Sequence, residues 1–311
     1  MTNRKTIGTS EPIAKSVGIA INGHRGEALC RILSRRNDYK ISWSLSPKST
    51  ENQYIRGFSS EIGIIIDTVT GSADLKLLGS NLSKVDYLIC SGFPYKIPVQ
   101  ILETASVIAI NCHGGPLPSY RGGSPVMWQI INNEKFIGLT IHELTSEFDQ
   151  GDILMERSLP NIGYLDIREV QLLANRSFEE MLSSFFKNPK SYIDSKKPQS
   201  IENARYWHQR NESDGLIDWR RLTAEDVNHF VRALSSPYPG GYNYLSDGEI
   251  LRIWKVEVDS VPVLGVPGRV VVLSDGLHIV ASGNSSVKLI RLDCNRRLKQ
   301  GDFLNSERRL P

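Results

Sequence analysis

Short apolar runs alternate with stretches of helical periodicity from residue 17 to residue 187. Six runs have the length and composition of buried strands: residues 17–22, 39–46, 62–67, 86–91, 106–111 and 138–144. Four stretches carry apolar residues at helical intervals: residues 27–33, 72–84, 126–131 and 167–187. Because such alternation is typical of a parallel sheet covered by helices, the pattern predicts an α/β fold with a mostly parallel, Rossmann-like sheet.

The clearest single element is the amphipathic helix predicted at residues 167–187. We expect its apolar stripe to contain Leu172, Leu173, Phe178, Met181, Leu182 and Phe185. Residues 188–206 follow with two prolines and little periodicity. We therefore interpret this segment as a connector between two parts of the chain.

The pattern changes after residue 206. One more helix is predicted at residues 224–234, and the strands that follow are separated by Gly, Asp, Asn and Ser turns. These strands are expected at residues 242–245, 250–258, 268–273, 276–282 and 286–292. Such spacing favours a small open barrel (OB-like) or another compact β-rich domain. We therefore predict an α/β domain at residues 1–205, with 1–15 as a flexible lead-in, and a β-rich domain at 206–311.

Composition narrows the class of protein only slightly. The chain has 311 residues and a formal net charge of +3, a surplus too small to indicate a nucleic-acid partner by itself. It contains no apolar run of about 18 residues, so we expect no membrane span. Its four cysteines form no CxxC pair, which favours reduced core thiols in a cytoplasmic protein.

Candidate chemistry concentrates in residues 111–152. If residues 106–111 form a strand, Asn111 lies at its carboxyl end, where open α/β sheets bind ligands. Asn111 and His113 are two residues apart and therefore share a face, whereas Cys112 points away. A carboxamide can donate to an oxyanion, and an imidazole can take a proton from an amine. A nearby carboxylate, Asp149, would orient that imidazole, so the set suits acyl transfer to an amine.

Each of these residues also has a structural interpretation. Asn111 and Asp149 occur at positions where turn residues are common, and a single histidine is often a hydrogen-bonded core residue. His142 precedes a glutamate, but position 146 is Ser, so the zinc motif HExxH is incomplete. We therefore expect no metal and interpret His142 as a wall residue. The early glycines do not form GxGxxG, which disfavours a dinucleotide site.

Residues 111–154, NCHGGPLPSYRGGSPVMWQIINNEKFIGLTIHELTSEFDQGDIL, resemble the signature of the folate-dependent formyltransferases. The matching positions are Asn111, His113, Leu117, Pro118, Tyr120, Arg121, Gly122, Pro125, Gly138, Thr140, Asp149 and Gly151. The resemblance implies that Asn111, His113 and Asp149 are the catalytic residues and that 10-formyltetrahydrofolate is the formyl donor. Gly115 and Pro116 depart from the Ser-Leu that many members carry.

The resemblance extends over nearly the whole chain. Residues 217–245 and the ending RRLKQGDFLNSERRL are similar to the second domain of methionyl-tRNA formyltransferases and their sugar-modifying relatives. The family implies a folate near residues 91–98 and the loop before Asp149. The residues that we expect to bind the folate are Gly92, Phe93, Pro94, Tyr95, Leu117, Thr140 and Phe148. The residues that we expect to bind the acceptor are Gly114, Tyr120, Arg121 and Tyr238.

The motif does not identify the substrate that carries the acceptor amine. Methionyl-tRNA would require clustered Lys and Arg, yet residues 44–61 contain only Lys48 and Arg56, against Glu51 and Glu61. The string VMWQIINNEK looks more like formyltransferases of nucleotide-linked amino sugars, as used in lipopolysaccharide or antigen sugar biosynthesis. We therefore expect an amino-sugar nucleotide (UDP- or dTDP-linked) as substrate rather than a nucleic acid.

Other interpretations stay open beside this one. Methionyl-tRNA, another small amine such as a siderophore or peptide precursor, and a catalytically silent binding module are the alternatives. Tyr238, in the aromatic turn 236–244, either contacts a nucleotide base or belongs to a proline-stiffened linker. The strand edges of the second domain offer a surface for a homodimer.

Overall fold

The structure of the chain is a computed structural model that describes residues 13–48 and 53–304. Most of the predicted lead-in, part of the weakly charged segment 44–61 and the last seven residues, 305–311, lie outside the described residues. Among the residues that the structure describes, no helix combines the length and the apolar character needed to cross a bilayer. The four cysteines are free thiols.

The strands up to residue 207 are β1 (Lys15–Ile21), β2 (Tyr39–Pro47), β3 (Asp67–Val69), β4 (Val85–Ser91), β5 (Ala105–His113), β6 (Arg121–Gly122), β7 (Phe136–Glu143), β8 (Ile153–Pro160) and β9 (Tyr206–Trp207). The helices are α1 (Gly23–Ser34), α2 (Gln53–Glu61), α3 (Ser72–Gly79), α4 (Val99–Leu102), α5 (Pro125–Ile131), α6 (Ile167–Lys187), α7 (Pro189–Asp194) and α8 (Ala224–Leu234). A short 3₁₀ helix occupies Glu212–Gly215.

Seven of these strands form one sheet in the order β3-β2-β1-β4-β5-β7-β8. Strands β1 to β5 are parallel to one another, and β7 pairs antiparallel with β5. The order places β1 and β4 at the centre, which explains why they are almost continuously apolar. The expectation of an α/β fold with a mostly parallel sheet is confirmed.

Two predicted elements of this part differ from the structure. The run 62–67 was expected to be a strand, but α2 ends at Glu61 and the strand is Asp67–Val69 alone. Ile65 is 85% exposed, so its apolar character does not mark burial. The connector 188–206 contains the short helix α7, whose first turn is capped by the Asn188 side chain.

Helix α6 has the predicted bounds, but its apolar stripe is narrower than expected. Phe178, Met181, Leu182 and Phe185 are buried as predicted, together with Ile167, Val170 and Ala174. Leu172 and Leu173 were assigned to the same stripe, and this was wrong, because they are 54% and 39% exposed. The buried positions recur every three or four residues, and 172 and 173 lie off that series.

The C-terminal strands are β10 (Gly241–Tyr244), β11 (Ile250–Val258), β12 (Val270–Leu273), β13 (Gly276–Ala281) and β14 (Ser285–Asp293). They form a five-stranded antiparallel sheet in the order β10-β11-β14-β13-β12, so the predicted β-rich part is confirmed. Helix α8 contributes Val227 and Val231 to the core beneath this sheet. The buried Trp219 indole donates to Asn243 at 2.6 Å, which satisfies both polar groups inside that core.

The chain divides into two compact units whose segments alternate along the sequence. The first unit comprises the described residues up to His113, then Thr140–Met155 and Ser177–Gln199. The second unit comprises Gly114–Leu139, Glu156–Arg176 and the described residues from Ser200 onward. The domain boundary at residues 205 and 206 stays a prediction.

Candidate functional site

The candidate site of the first unit forms where β5 and β7 run side by side. Their antiparallel register places Asn111 opposite His142 and His113 opposite Thr140. Side chains two residues apart on a strand point to the same face, so all four belong to one face of the ribbon. The sequence therefore specifies this juxtaposition through the pairing of two short strands.

Three polar contacts join the side chains into one cluster. The Nδ1 atom of His113 lies 3.4 Å from Oδ1 of Asp149, and Nε2 of His142 lies 3.3 Å from that same oxygen. The Nδ2 atom of Asn111 is 3.2 Å from His142 Nε2. The side chains of His113, His142 and Asp149 are 6%, 1% and 8% exposed, so these interactions are shielded from water. We call these four residues the Asn–His–Asp cluster.

Asp149 reaches the cluster from a loop with an unusual backbone. Its φ is 54°, a left-handed conformation that aspartate tolerates better than most residues. The side-chain amide of Gln199 donates to the backbone oxygens of Asp149 at 2.9 Å and of Gly151 at 2.7 Å. A Cβ atom at Gly151 would lie 1.9 Å from the carbonyl oxygen of Glu143. Glycine is therefore required for the loop to close against the end of β7.

His142 was interpreted from the sequence as a wall residue, but it contacts Asn111 and Asp149 directly. Its Nδ1 lies 2.7 Å from the carbonyl oxygen of Glu143, which can only accept, so Nδ1 carries a proton. The alternation along β7 was the available signal, because Thr140 and His142 share a face. Gln199 was also missed, and nothing in the connector pattern indicates it.

Cys112 lies between Asn111 and His113 in sequence but not in the cluster. Its thiol is fully buried, and desolvation raises its pKa to about 12, so it is not a thiolate nucleophile at neutral pH. The carbonyl oxygen of Cys112 accepts a hydrogen bond from Arg25 at 3.1 Å. The predicted outward orientation relative to its two neighbours agrees with this separate environment.

The arrangement suits proton transfer and oxyanion stabilisation rather than metal binding. Two imidazoles share one carboxylate oxygen, so a proton can be gained at His113 while Asp149 balances the charge. A carboxamide at the same place supplies N–H donors to a developing oxyanion. Within residues 13–48 and 53–304, no group of three His, Cys, Asp or Glu side chains is arranged to hold a metal ion.

Most of the residues predicted to bind folate lie in the first unit. Phe93 and Tyr95 form an edge-to-face pair with ring centroids 5.6 Å apart. Phe148 is 51% exposed, and the Lys96 ammonium lies 5.5 Å from its ring and 3.8 Å from the Glu147 carboxylate. Lys96 thus brings the segment Gly92–Lys96 to the loop that carries Phe148. Pro94 is exposed and Thr140 is fully buried beside the cluster.

The second unit contains Leu117 and all the residues predicted to bind the acceptor. Leu117 and Tyr120 are buried; the Tyr120 hydroxyl donates to Glu134 at 2.5 Å, and its ring stacks on Trp207. The Arg121 guanidinium is buried and donates to the Tyr206 hydroxyl at 3.3 Å. Tyr238 is half-buried and accepts from Gln171 at 2.7 Å. Their predicted contacts with an acceptor stay predictions.

Gly114 is held by a side chain that the sequence did not indicate. The fully buried Gln129 donates to the carbonyl oxygen of Gly114 at 2.8 Å and accepts from the amide of Gly138 at 2.6 Å. A Cβ atom at Gly138 would come within 2.6 Å of Pro116. Pro116 therefore packs against a position that only glycine fits.

Comparison with known families matches both halves of the chain. The family described as "Formyl transferase" matches residues 78–175, and "Formyl transferase, C-terminal domain" matches residues 210–308. The bifunctional polymyxin resistance protein ArnA of Wigglesworthia glossinidia brevipalpis is 33% identical over 192 residues, which is 58% of this chain but 28% of ArnA. The chain thus corresponds to less than a third of that larger protein.

Two further proteins are similar over more of their length. A methionyl-tRNA formyltransferase of Lactobacillus delbrueckii subsp. bulgaricus is 30% identical over 225 residues, 71% of this chain and 70% of that protein. The crystal structure of WlaRD, a sugar 3N-formyl transferase in the presence of dTDP and 5-N-formyl-THF, matches with a TM-score of 0.64 and 16% identity. That match covers 93% of this chain and 100% of WlaRD. The chain therefore belongs to the folate-dependent formyltransferase family and is an enzyme of that family.

Proposed function

We propose that the enzyme transfers the formyl group of 10-formyltetrahydrofolate to the amine of a nucleotide-linked amino sugar. The observation that carries this proposal is the buried Asn–His–Asp cluster, in which a carboxamide, two imidazoles and a carboxylate lie within 3.4 Å of one another in succession. A carboxamide, an imidazole and a carboxylate suit formyl transfer to an amine, and Asn111, His113 and Asp149 lie at the positions that the family resemblance implies are catalytic.

Three residues divide the work in this proposal. The 10-formyltetrahydrofolate supplies an activated formyl group when it is bound. Asn111 donates an N–H to the oxygen that becomes negative as the amine adds to the formyl carbon. His113 takes the proton that the amine loses, and its Nδ1 faces Asp149, which assigns the exchange to Nε2. The new carbon–nitrogen bond replaces the bond to the folate nitrogen, which receives a proton in turn.

The residues present fit a folate. The edge-to-face pair of Phe93 and Tyr95 and the exposed ring of Phe148 are suited to a flat heteroaromatic group. Lys96, beside Phe148, is suited to the carboxylates of a folate tail. WlaRD was crystallised with 5-N-formyl-THF, which supports the same ligand class for this chain.

The identity of the acceptor is supported by charge and by fold. Residues 44–61 contain two basic and two acidic side chains, so they offer little attraction for tRNA phosphates. WlaRD, whose whole length this chain matches, is a sugar 3N-formyl transferase crystallised with dTDP. Both observations favour a small acceptor that carries a nucleoside diphosphate.

Methionyl-tRNA is the second candidate, because the Lactobacillus relative with 30% identity is named for that activity. The two acceptors differ in their expected dependence on salt. Each neutralised phosphate steepens the fall of affinity with salt, so a tRNA acceptor should lose affinity much faster than a sugar nucleotide.

The test is a panel assay with 10-formyltetrahydrofolate as the donor. UDP- and dTDP-linked amino sugars are incubated beside initiator tRNA charged with methionine, and each product is examined for the mass of one added formyl group. We expect formylation of a sugar nucleotide that is lost in His113→Ala. Turnover with the charged tRNA alone would refute the sugar assignment, and a wild-type rate in His113→Ala would refute the mechanism.

A further inference from the structure

His142 occupies a central position in the Asn–His–Asp cluster although it was not among the predicted catalytic residues. It is 1% exposed, and both of its ring nitrogens have partners. The Nδ1 atom donates to the Glu143 carbonyl oxygen at 2.7 Å, and Nε2 lies 3.2 Å from Asn111 Nδ2. All of these atoms belong to the first unit.

We propose that His142 is a positioning residue that orients the Asn111 carboxamide for oxyanion stabilisation. The proposal rests on the function proposed above, in which Asn111 is the oxyanion donor. It assigns His142 no proton transfer with substrate. His142 determines which end of the planar Asn111 carboxamide faces its ring. It thereby determines the direction of the other N–H of Asn111.

The carbonyl of Glu143 fixes the tautomer on which this depends. Because a carbonyl oxygen only accepts, the proton of a neutral His142 must reside on Nδ1, and Nε2 then presents a lone pair. A lone pair can be satisfied by the nitrogen of Asn111 but not by its oxygen. The carboxamide therefore turns its nitrogen toward His142, and its two hydrogens take defined directions.

Geometry explains why this matters for the reaction. The Asn111 nitrogen has two N–H groups in one plane, and one of them is directed at His142. Fixing the first fixes the direction of the second, which is the donor assigned to the oxyanion. Without His142, the carboxamide can turn by half a revolution and present its oxygen to the negative charge, which would repel it.

One charged group faces Nε2 of His142. Asp149 Oδ1 lies 3.3 Å from Nε2 and by itself would favour a proton there. The proposal therefore requires the charge of Asp149 to be balanced at His113, whose Nδ1 lies 3.4 Å from the same oxygen. The Glu143 carboxylate, on the strand of His142, is engaged by Lys196 instead. A protonated His142 would turn Nε2 into a donor and lose the contact with the Asn111 nitrogen.

Two substitutions separate the two nitrogens of His142. His142→Gln places an amide oxygen near the Nε2 position and preserves the acceptor for Asn111, whereas His142→Asn preserves only the donor near Nδ1. With 10-formyltetrahydrofolate and a dTDP-linked amino sugar, we expect His142→Asn to lower kcat by about tenfold or more with little change in KM. His142→Gln should recover most of the lost rate. Equal rates in the two variants would overturn the proposal.

A double-mutant cycle tests whether the effect passes through Asn111. In the Asn111→Ala background, His142→Asn should have no further effect on kcat, because the carboxamide that it orients is absent. Independent, multiplicative losses would mean that His142 acts through another group and would overturn the assignment.

A measurement without any substrate distinguishes this proposal from the proposed function. In enzyme labelled with ¹⁵N-histidine, the His142 signals, identified by their loss in His142→Gln, should show a protonated Nδ1 and an unprotonated Nε2. The Nε2 signal should shift in Asn111→Ala. A protonated Nε2 would refute the proposal even if formyl transfer is observed, while absent turnover with an intact Nε2 signature would refute the proposed function alone.

Discussion

Two groups of imidazoles and carboxylates, one in each unit, have opposite proportions. In the Asn–His–Asp cluster, two imidazoles share a single carboxylate, Asp149. In the second unit, the single imidazole of His278 lies between two carboxylates, with Nδ1 3.0 Å from Asp259 and Nε2 3.0 Å from Asp275. The same residue types thus form one group with more imidazoles than carboxylates and one group with more carboxylates than imidazoles.

The environment of His278 in the second unit favours the protonated imidazole, and this group joins separate parts of the fold. Burial by itself would lower the pKa of His278, but hydrogen bonds to Asp259 and Asp275 outweigh it and raise that pKa. The Ser286 hydroxyl donates to Asp259 and accepts from the backbone of Val263 at 2.8 Å. The His278 ring therefore ties strand β13 to the loop after β11, and its protonated form does so more strongly.

The comparison shows that the ratio of imidazoles to carboxylates matters more than the presence of both. One carboxylate can balance only one imidazolium, so the Asn–His–Asp cluster leaves one ring neutral and lets the other, assigned above to His113, gain and lose a proton. Around His278, the largely buried Asp259 and the exposed Asp275, which also pairs with Lys288, both favour the protonated ring, which suits a structural role. The following substitutions test this contrast, from the largest expected effect to the smallest.

The same change in the two groups should have opposite consequences. Asp149→Asn removes the only carboxylate of the Asn–His–Asp cluster, and we expect kcat to fall by about 100-fold or more, with a nearly unchanged melting temperature. Asp259→Asn should lower the melting temperature and leave the kcat of the folded enzyme near wild type. The contrast fails if Asp259→Asn, while still folded, loses turnover as severely as Asp149→Asn.

Gly151→Ala should disturb the Asn–His–Asp cluster through its loop. The added Cβ would meet the Glu143 carbonyl, which also accepts from His142, so both the loop and that imidazole must move. We expect a loss of kcat of about tenfold and a destabilisation of about 1–3 kcal/mol by chemical denaturation. Gly163→Ala is the matched control, because no atom lies within 4 Å of its Cβ position. A harmless Gly151→Ala would show that the loop is not closed as described.

Gln199→Leu should have a smaller effect, because it acts only on the support of Asp149. Loss of the hydrogen bonds to the Asp149 and Gly151 carbonyls should destabilise the loop by about 1–3 kcal/mol and lower kcat severalfold. The exposed Gln100→Leu serves as the control for an added apolar side chain. The measurement is the steady-state kcat of Gln199→Leu and of Gln100→Leu. Equal kcat values would contradict a positioning role for Gln199.

The smallest effect is a dependence of stability on pH. Since folding raises the pKa of His278, this residue contributes stability that is fully present below its unfolded value of about 6.5. That contribution is lost as the pH rises through the folded pKa. The difference in free energy of unfolding between wild type and His278→Asn should therefore shrink from about pH 6 toward alkaline pH. A difference that grows with pH would contradict the assigned charge.

Much of the fold could be predicted because hydrophobic periodicity is a local property. Helix α6 has the predicted bounds, and the strands β1, β4, β5 and β7 lie where apolar runs placed them. The prediction failed where apolar composition did not coincide with burial. Ile65 and Leu172 are exposed, since the position of a residue on its face depends on what packs against it.

The sequence by itself determined the order of the elements through its hydrophobic pattern and the family through a motif resemblance, which also implied Asn111, His113 and Asp149 as the catalytic residues. Only the tertiary structure showed that His142 contacts Asn111 and that Gln199 supports the Asp149 loop. His142 joins through an antiparallel pairing across 31 positions, and Gln199 through hydrogen bonds across 50. Contacts of that range depend on strand register and loop closure, which no local pattern encodes.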